Sequence, residues 1–379
     1  MRALRRQQDR KTKPPELVVE HSPAAEPSPS LRVNFEHRPG LSQAAEPLLV
    51  LASPTIGLCG VFDSAGGAGA ETVTAPAGTR GGTWAAARAA REAVHSRTDL
   101  LSVGSRAWHA GFDESRAYVE QPPSAPRPDL TTELLGAIQR KLAEKTAEGR
   151  ARNSGDKSPL MKTRPATMAA AWFDLDAGEV TAAWAGDSRV YMLMPVSGLQ
   201  QVTTDDLETG ADALEDLTQD SPMSNCISAD TDFTIHERRI NFDLPAVLFA
   251  ASDGCFGYVA TPLHFELMLL STMNGALSWQ DWQERLQAAI ERVAGDDASL
   301  AGFALGWRDF SECREAYAPR RLQCADQARN YDALATGVSR LQQSLESATA
   351  DLATARQQLW DEYRTSYESL LSTRVRDVS

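Results

Sequence analysis

Three apolar stretches of this 379-residue chain end or begin on a carboxylate. "IGLCGVFDSAGG" runs into Asp63, "PAVLFAASDG" runs into Asp253, and Asp296-Asp297 stand immediately before "ASLAGFALGW". A strand sends its side chains alternately to its two faces, so an Asp at a strand end is held in place by the strand while pointing into a cleft. Three such residues brought together make an all-oxygen donor set. Carboxylates without imidazole or thiolate partners select hard cations, Mg²⁺ or Mn²⁺. Asp followed by Gly is also a common turn pair, so any one of these positions taken alone is more often a turn residue than a ligand. The repeated grammar is what points to a site.

Other chemistries find little support. His21, His37, His95, His109, His236 and His264 show no paired metal-ligand spacing. Cys59, Cys226, Cys255, Cys313 and Cys324 are odd in number and contain no CxxC, which fits reduced thiols rather than a disulfide framework or a zinc ribbon. "GAGAETVTAPAGTRGG" has neither the Lys-Ser/Thr of a phosphate-binding P-loop nor the spacing of a dinucleotide fingerprint. The net charge of −13 is spread along the chain, which argues against nucleic acid as a partner. No run approaches the ~18 apolar residues that span a bilayer, and no apolar segment follows the basic N-terminus, so neither a membrane nor a secretory signal is expected. The expected location is cytoplasmic.

The elements that must position these acids follow from texture. Residues 1–34 mix basic residues with prolines and read as a disordered tail. "PLLVLAS" and "IGLCGVFD", broken at Ser53-Pro54, read as a hairpin; "TWAAARAAREAVHSR" and "LTTELLGAIQRKLAEKT" read as helices joined by a proline-rich connector. "ATMAAAWFDLDAGEVTAAWAGDSRVYMLM" reads as three antiparallel strands, turning at Asp176-Ala177-Gly178 and at Gly186-Asp187-Ser188. Residues 203–242 are polar and aperiodic, a loop-rich excursion; "WQDWQERLQAAIERVAG" is an amphipathic helix. Val338, Leu341, Leu345, Ala348, Leu352, Ala355 and Leu359 step by 3 and 4 alternately, a heptad seam. Either it packs within the chain or it dimerises, self-association then running through 334–363. Three heptads are short for an independent coil, which leans toward packing within the chain.

Four ordered segments resemble the motifs of the metal-dependent PPM, or type 2C, serine/threonine protein phosphatases: "GVFDSAGG" resembles VFDGxGG, "WAGDSRVYML" resembles GDSRxY, "FAASDGCFGYV" resembles SDGxxD, and "GDDASL" resembles DDxT. The resemblance covers roughly residues 40–307. It implies an α+β fold, a β-sandwich of two antiparallel sheets flanked by helices in α-β-β-α layers. The expected division is a tail at 1–34, a phosphatase domain at 35–310 and a helical, heptad-bearing extension at 311–379.

The same resemblance implies hydrolysis of phosphoserine or phosphothreonine in a protein substrate by water bridging two Mn²⁺ or Mg²⁺ ions, with a serine/threonine kinase as the opposing partner. Asp63 then bridges the metals, the main-chain carbonyl of Ser64 is a ligand, and Asp253 and Asp296 bind the second ion. Glu46, Asp156 and Asp297 are further candidate donors. Gly186–Arg189 is expected to be a strand turn rather than a catalytic group.

The sequence also departs from the family pattern. "GLSQAAEPLLV" lacks the family's upstream arginine and retains only Glu46 as an acid; Ser64 and Ala65 replace Gly and a frequent His; Gly257 stands where SDGxxD has its second Asp. These changes support an alternative, a pseudophosphatase that binds partners and signals through its C-terminal helices.

Overall fold

The computed structural model describes residues 29–35, 47–64, 72–75, 78–81, 84–96, 130–152, 165–207, 214 and 222–370. In chain order these give β1 (Ser30–Phe35), β2 (Leu48–Ala52), β3 (Ile56–Ser64), β4 (Thr72–Ala75), β5 (Gly78–Gly81), α1 (Trp84–Ser96) and α2 (Leu130–Arg152). There follow β6 (Ala166–Asp174), β7 (Glu179–Ala185), β8 (Arg189–Met194), β9 (Gly198–Gln201), β10 (His236–Asn241) and β11 (Ala246–Ala251). The chain continues with α3 (Asp253–Phe256), α4 (Pro262–Gly275), α5 (Trp279–Glu291), β12 (Ala298–Leu305) and α6 (Phe310–Tyr367).

Two five-stranded sheets carry the fold, in the orders β1-β12-β11-β8-β9 and β10-β7-β6-β3-β2, and every pairing within them is antiparallel. The central strands are apolar on both faces because both faces are covered. In β3, Cys59 and Val61 enter the core between the sheets while Leu58 and Phe62 pack outward with α1 and α2 residues such as Ala90, Leu134 and Ile138. β11 does the same: Leu248 and Ala250 face the other sheet, and Val247 and Phe249 face the cluster that includes Phe265, Trp282 and Tyr317 of α4, α5 and α6. The period of two in the strands thus becomes the four layers, helix, sheet, sheet, helix.

The β2–β3 hairpin, α1, α2, β11 and α5 stand where the sequence places them. Three features differ. Residues 30–34, assigned by composition to the tail, belong to β1, which pairs with β12 from Ser30↔Phe303 to Phe35↔Ala298 and buries the alternate residues Leu31 and Val33 in the core. The expected three-strand meander is two strands and a crossover: β6 and β7 pair, but β8 belongs to the other sheet. Gly186, at φ 94°, makes that crossover at a conformation that disfavours other residues, and a Cβ there would stand 2.5 Å from Cγ2 of Thr167. Finally, the heptad seam does not pack within the chain among the described residues: Val338, Leu341, Leu345, Leu352 and Leu359 are all exposed on α6.

Among the described residues, no helix is long and apolar enough to cross a membrane.

Candidate metal centre

One end of the sandwich gathers the acids. Asp63 lies near the C-terminal end of β3, opposite Thr167 at the start of β6. Asp187 sits in the crossover from β7 to β8. Asp253 follows β11 and opens α3, while Asp296 precedes β12, whose Leu300 pairs with Ala251 at the end of β11. Both sheets therefore contribute, and all four residues are half-buried.

The backbone explains the closeness. Ser252 N donates to Ser299 O at 2.9 Å and Ser299 N donates to Ser252 Oγ at 2.9 Å, which zips the end of β11 to the start of β12. Between them Gly254 packs so tightly on the main chain of Asp297 that a Cβ would overlap it. The glycine of the Asp253-Gly254 pair is thus required by approach, and its φ is ordinary. Asp297 N donates to Asp296 Oδ1 at 2.8 Å, fixing the Asp296 carboxylate, and Asp297 itself contributes its backbone to the contact with Gly254.

The electrostatics record the crowding. Asp253 is pushed well above the usual carboxylate range, first by burial, then by Asp63, with which it is within hydrogen-bonding reach, and by Asp296. Two carboxyls that share a hydrogen bond must share a proton between them. Asp187 is pushed up to about 7, again first by burial and then by Asp253 and Asp205. Burial is the larger cause of both shifts, and the neighbouring carboxylates add a repulsion of the kind a bound cation relieves.

Residues beyond the expected set hold the crossover in place. Arg189 lies nearly buried and makes a forked pair with Asp205, Nε donating to both oxygens at 2.9 Å and Nη2 to Oδ2 at 2.5 Å. Its guanidinium also covers the Phe256 ring at 4.3 Å from the centroid. Asp206 accepts from Gly186 N at 2.9 Å and from Asn225 Nδ2 at 2.6 Å, and pairs with His236 Nε2 at 2.9 Å. Thr167 Oγ1 meets Ser188 Oγ at 2.7 Å, tying the neighbour of Asp63 to the crossover. Sequence reasoning treats Gly186–Arg189 as a turn and 203–242 as an excursion. In the structure the excursion's Asp205 and Asp206 pin the crossover, which carries Asp187 to the acids. An arginine within a run as apolar as "RVYMLM" is the signal that an acid elsewhere must neutralise it.

Of the expected residues, Asp63, Asp253 and Asp296 come together, Ser64 closes β3 beside them, and Asp297 shares their loop. Glu46 and Asp156 lie outside the described residues, as does Arg38. As the side chains stand, no three His, Cys, Asp or Glu among the described residues are spaced to close on one ion. The donor chemistry nevertheless fits a hard divalent cation: it is all oxygen, concentrated, partly accessible and destabilised by its own charge.

With the sheet order, the helical layers and the positions of the four motif segments in place, the architecture is the one expected. It is a sandwich of two five-stranded antiparallel sheets between helical layers, as the motif resemblance implies. No protein-family model and no curated protein matches the chain. Among solved structures it is similar to the serine/threonine phosphatase Stp1 from Staphylococcus aureus, with 15% identity over 76% of this chain and 98% of that one, at a TM-score of 0.48. It is likewise similar to the Mycobacterium tuberculosis serine/threonine phosphatase PstP/Ppp, with 15% identity over 74% and 99% of the two chains and a TM-score of 0.46. A third is the catalytic domain of PstP in complex with two manganese ions, at 14% identity, 74% and 100% coverage and a TM-score of 0.45. At such identities and scores the likeness carries no argument about chemistry, which rests on this chain's own residues.

Proposed function

We propose that the chain is a metal-dependent phosphatase that hydrolyses phosphoserine or phosphothreonine in proteins. The observation that carries this reading is the convergence of Asp63, Asp187, Asp253 and Asp296 at one end of the sandwich, with their mutual repulsion left for a cation to relieve. Asp63, Asp253 and Asp296 are assigned to hold Mn²⁺ or Mg²⁺, two ions in all, with the Ser64 carbonyl as a further donor. Bound divalent ions supply Lewis-acid chemistry, neutralising phosphoryl oxygens and lowering the pKa of water.

The chain's own residues set the stage for that chemistry. Burial and the contact with Asp63 favour the protonated form of Asp253, and a cation held by Asp63 and Asp253 would compete with that proton. Asp296, fixed by the Asp297 amide, stays oriented toward the pair. Asp187 adds negative charge on the side of the crossover, where Asp205 and Asp206 keep the backbone from shifting. In the overall reaction a water oxygen forms the new bond to phosphorus, the bond to the seryl or threonyl oxygen breaks, and that oxygen takes its proton from solvent. A serine/threonine kinase is the class of enzyme that supplies such a substrate.

The second reading, a pseudophosphatase that binds a partner, has an observation of its own. Arg189, whose charge acts on Asp187, is already occupied by Asp205, and Ser64 stands where the phosphatase pattern has glycine.

Hydrolysis of p-nitrophenyl phosphate and of a phosphothreonine peptide, with Mn²⁺, with Mg²⁺ and with EDTA, separates the two. Turnover that requires metal and is lost in Asp63→Asn and Asp253→Asn supports the enzyme. Absence of turnover with either metal, in protein that is folded by circular dichroism, overturns it in favour of the binding module.

A further inference from the structure

Helix α6 is 58 residues long, about 87 Å at 1.5 Å per residue, and its two parts have different surroundings. The first part is docked. Phe310, Cys313, Tyr317, Cys324 and Ala328 are buried, the Tyr317 hydroxyl donates to Leu193 O at 2.5 Å, and Arg320 donates through Nε and Nη2 to the Glu266 carboxylate at 2.6 and 2.9 Å. The contact of His264 Nε2 with Asp332 Oδ1 at 3.2 Å marks where the helix leaves the domain. Past it the helix continues to Tyr367 with its large apolar side chains in water, among them Leu341 at 72% and Leu352 at 71% exposure.

Such a segment does not hold itself together. Thr336, Gly337, Ser339, Ser344, Ser347, Thr349 and Thr354 are weak helix formers, and a helix without tertiary contacts is marginal even in favourable sequence. Its apolar residues nonetheless keep a strict period of seven. Leu334 and Leu341 are at d, with Ala348 and Ala355 after them; Val338, Leu345, Leu352 and Leu359 are at a. That period is satisfied by a partner helix of the same period, wound on it as a left-handed supercoil. Among the other described helices none offers one: the apolar face of α2, with Leu134, Ile138 and Leu142, is already buried against α1. A second copy of α6 carries the seam by definition.

The flanking charges choose the orientation. At the e and g positions of residues 334–359 stand Ala335, Gly337, Gln342, Ser344, Thr349, Asp351, Arg356 and Gln358, so only Asp351, at g, and Arg356, at e, are charged. They are five residues apart, the spacing at which g of one strand meets the following e of the other in a parallel, in-register pair. Neither makes an ion pair within the described chain. The antiparallel alignment that overlaps the whole segment sets Leu345 opposite Ala348 of the second chain; Asp351 then faces Ser344 and Arg356 faces Ala335, so neither charge finds an opposite partner, whereas the parallel pair gives both one.

We propose that residues 334–359 of α6 pair with the same segment of a second chain as a parallel, in-register, two-stranded coiled coil, with Asp351 of each chain meeting Arg356 of the other. The alanines at d let the backbones approach, and the dyad places the two sandwiches at the same end of the coil.

The test is light scattering on the full chain across a concentration series, beside Leu345→Glu/Leu352→Glu, Asp351→Arg, Arg356→Asp and the Asp351→Arg/Arg356→Asp swap. The wild-type mass is expected to be twice the 41.1 kDa of one chain, falling to one in the double glutamate variant. Each single reversal weakens the dimer and the swap restores it. Ala348→Cys, at a d position that faces its own copy, is expected to form an interchain disulfide under mild oxidation. A monomeric wild type overturns the proposal, whatever else covers the seam. A dimer that survives the glutamates overturns the seam, and a dimer that Ala348→Cys does not crosslink overturns the parallel register. All substituted residues are exposed, so circular dichroism and unchanged phosphatase or metal-binding behaviour of the sandwich report an intact fold.

Discussion

Gly254 and Asp297 touch main chain to main chain: a methyl group on Gly254 would overlap the Asp297 carbonyl. This contact brings the end of β11 and the approach to β12 within one site, so that Asp253 and Asp296 feel each other's charge. Gly254→Ala is therefore expected to act twice. Forcing a Cβ into a packed backbone contact costs about 1–3 kcal/mol of stability, visible as a lower midpoint in urea. Because the displaced loop carries Asp296, Mn²⁺ affinity by calorimetric titration falls as well. A variant with normal metal affinity would show that the loop position is set elsewhere.

Arg189 and Asp205 form a nearly buried pair, with side chains 3% and 5% exposed. Removing one partner leaves the other charged and desolvated, at about 3–5 kcal/mol. Arg189→Ala is expected to lose stability on that scale. Arg189→Met with Asp205→Leu, which removes both charges, recovers a large part of it. Thermal or chemical denaturation of the three proteins measures the difference, and equal loss in the single and double variants would contradict the pairing as the source.

Much of this was legible from residue order, and the parts that were not have physical reasons. Asp63, Asp253 and Asp296 announce themselves because each adjoins an apolar run, and a carboxylate there interrupts a strong pattern. Asp187 does not, because Gly-Asp-Ser is also what a tight turn looks like; only the passage of β7 and β8 into different sheets reveals a crossover. Helix α4, "PLHFELMLLSTMNG", escapes periodicity for a different reason. It is apolar nearly all round, since Phe265, Leu269 and Met273 are buried while Leu263, Leu267 and Met268 pack against the same cluster. β1 is missed although Leu31, Val33 and Phe35 alternate as a strand requires, because three apolar residues at the end of a proline-rich, charged stretch are outweighed by its composition. The heptad seam was plain, but a period says only that a partner exists.

The cysteines offer an independent check on burial. All five are free thiols, and Cys59, Cys255, Cys313 and Cys324 are buried, whereas Cys226 is partly accessible. Burial pushes Cys59 up to about 12 and Cys324 up to about 11. Since the thiolate is the reactive form, a disulfide-exchange reagent at pH 8 should titrate one thiol at most in the native protein. That reactivity should vanish in Cys226→Ser, and all five thiols should react in guanidinium. Rapid reaction of two or more in the native protein would place the sandwich core within reach of solvent.

The acid cluster makes a prediction that separates stability from function. Asp187 titrates near 7 in the fold against 3.8 as an ordinary aspartate, and Asp253 is raised as well. Between about pH 4 and 7 the unfolded chain releases protons that the folded chain retains, so this cluster makes the metal-free fold progressively less stable as pH rises through that window. In EDTA, the melting temperature is therefore expected to decline from pH 5 to pH 8. Asp253→Asn removes a repelled charge, so it should melt higher than wild type at pH 8, by about 2–4 °C for each kcal/mol of repulsion relieved, and show a flatter dependence on pH. Added Mn²⁺ should reverse the order. Wild type is expected to gain more as pH rises, because fewer protons then compete with the cation for its carboxylates, and the asparagine variant gains little because it has lost one of the carboxylate donors. If Asp253→Asn instead melted lower than wild type in EDTA at every pH, the carboxylate would be a structural hydrogen-bonding group rather than a charge held in strain for a cation.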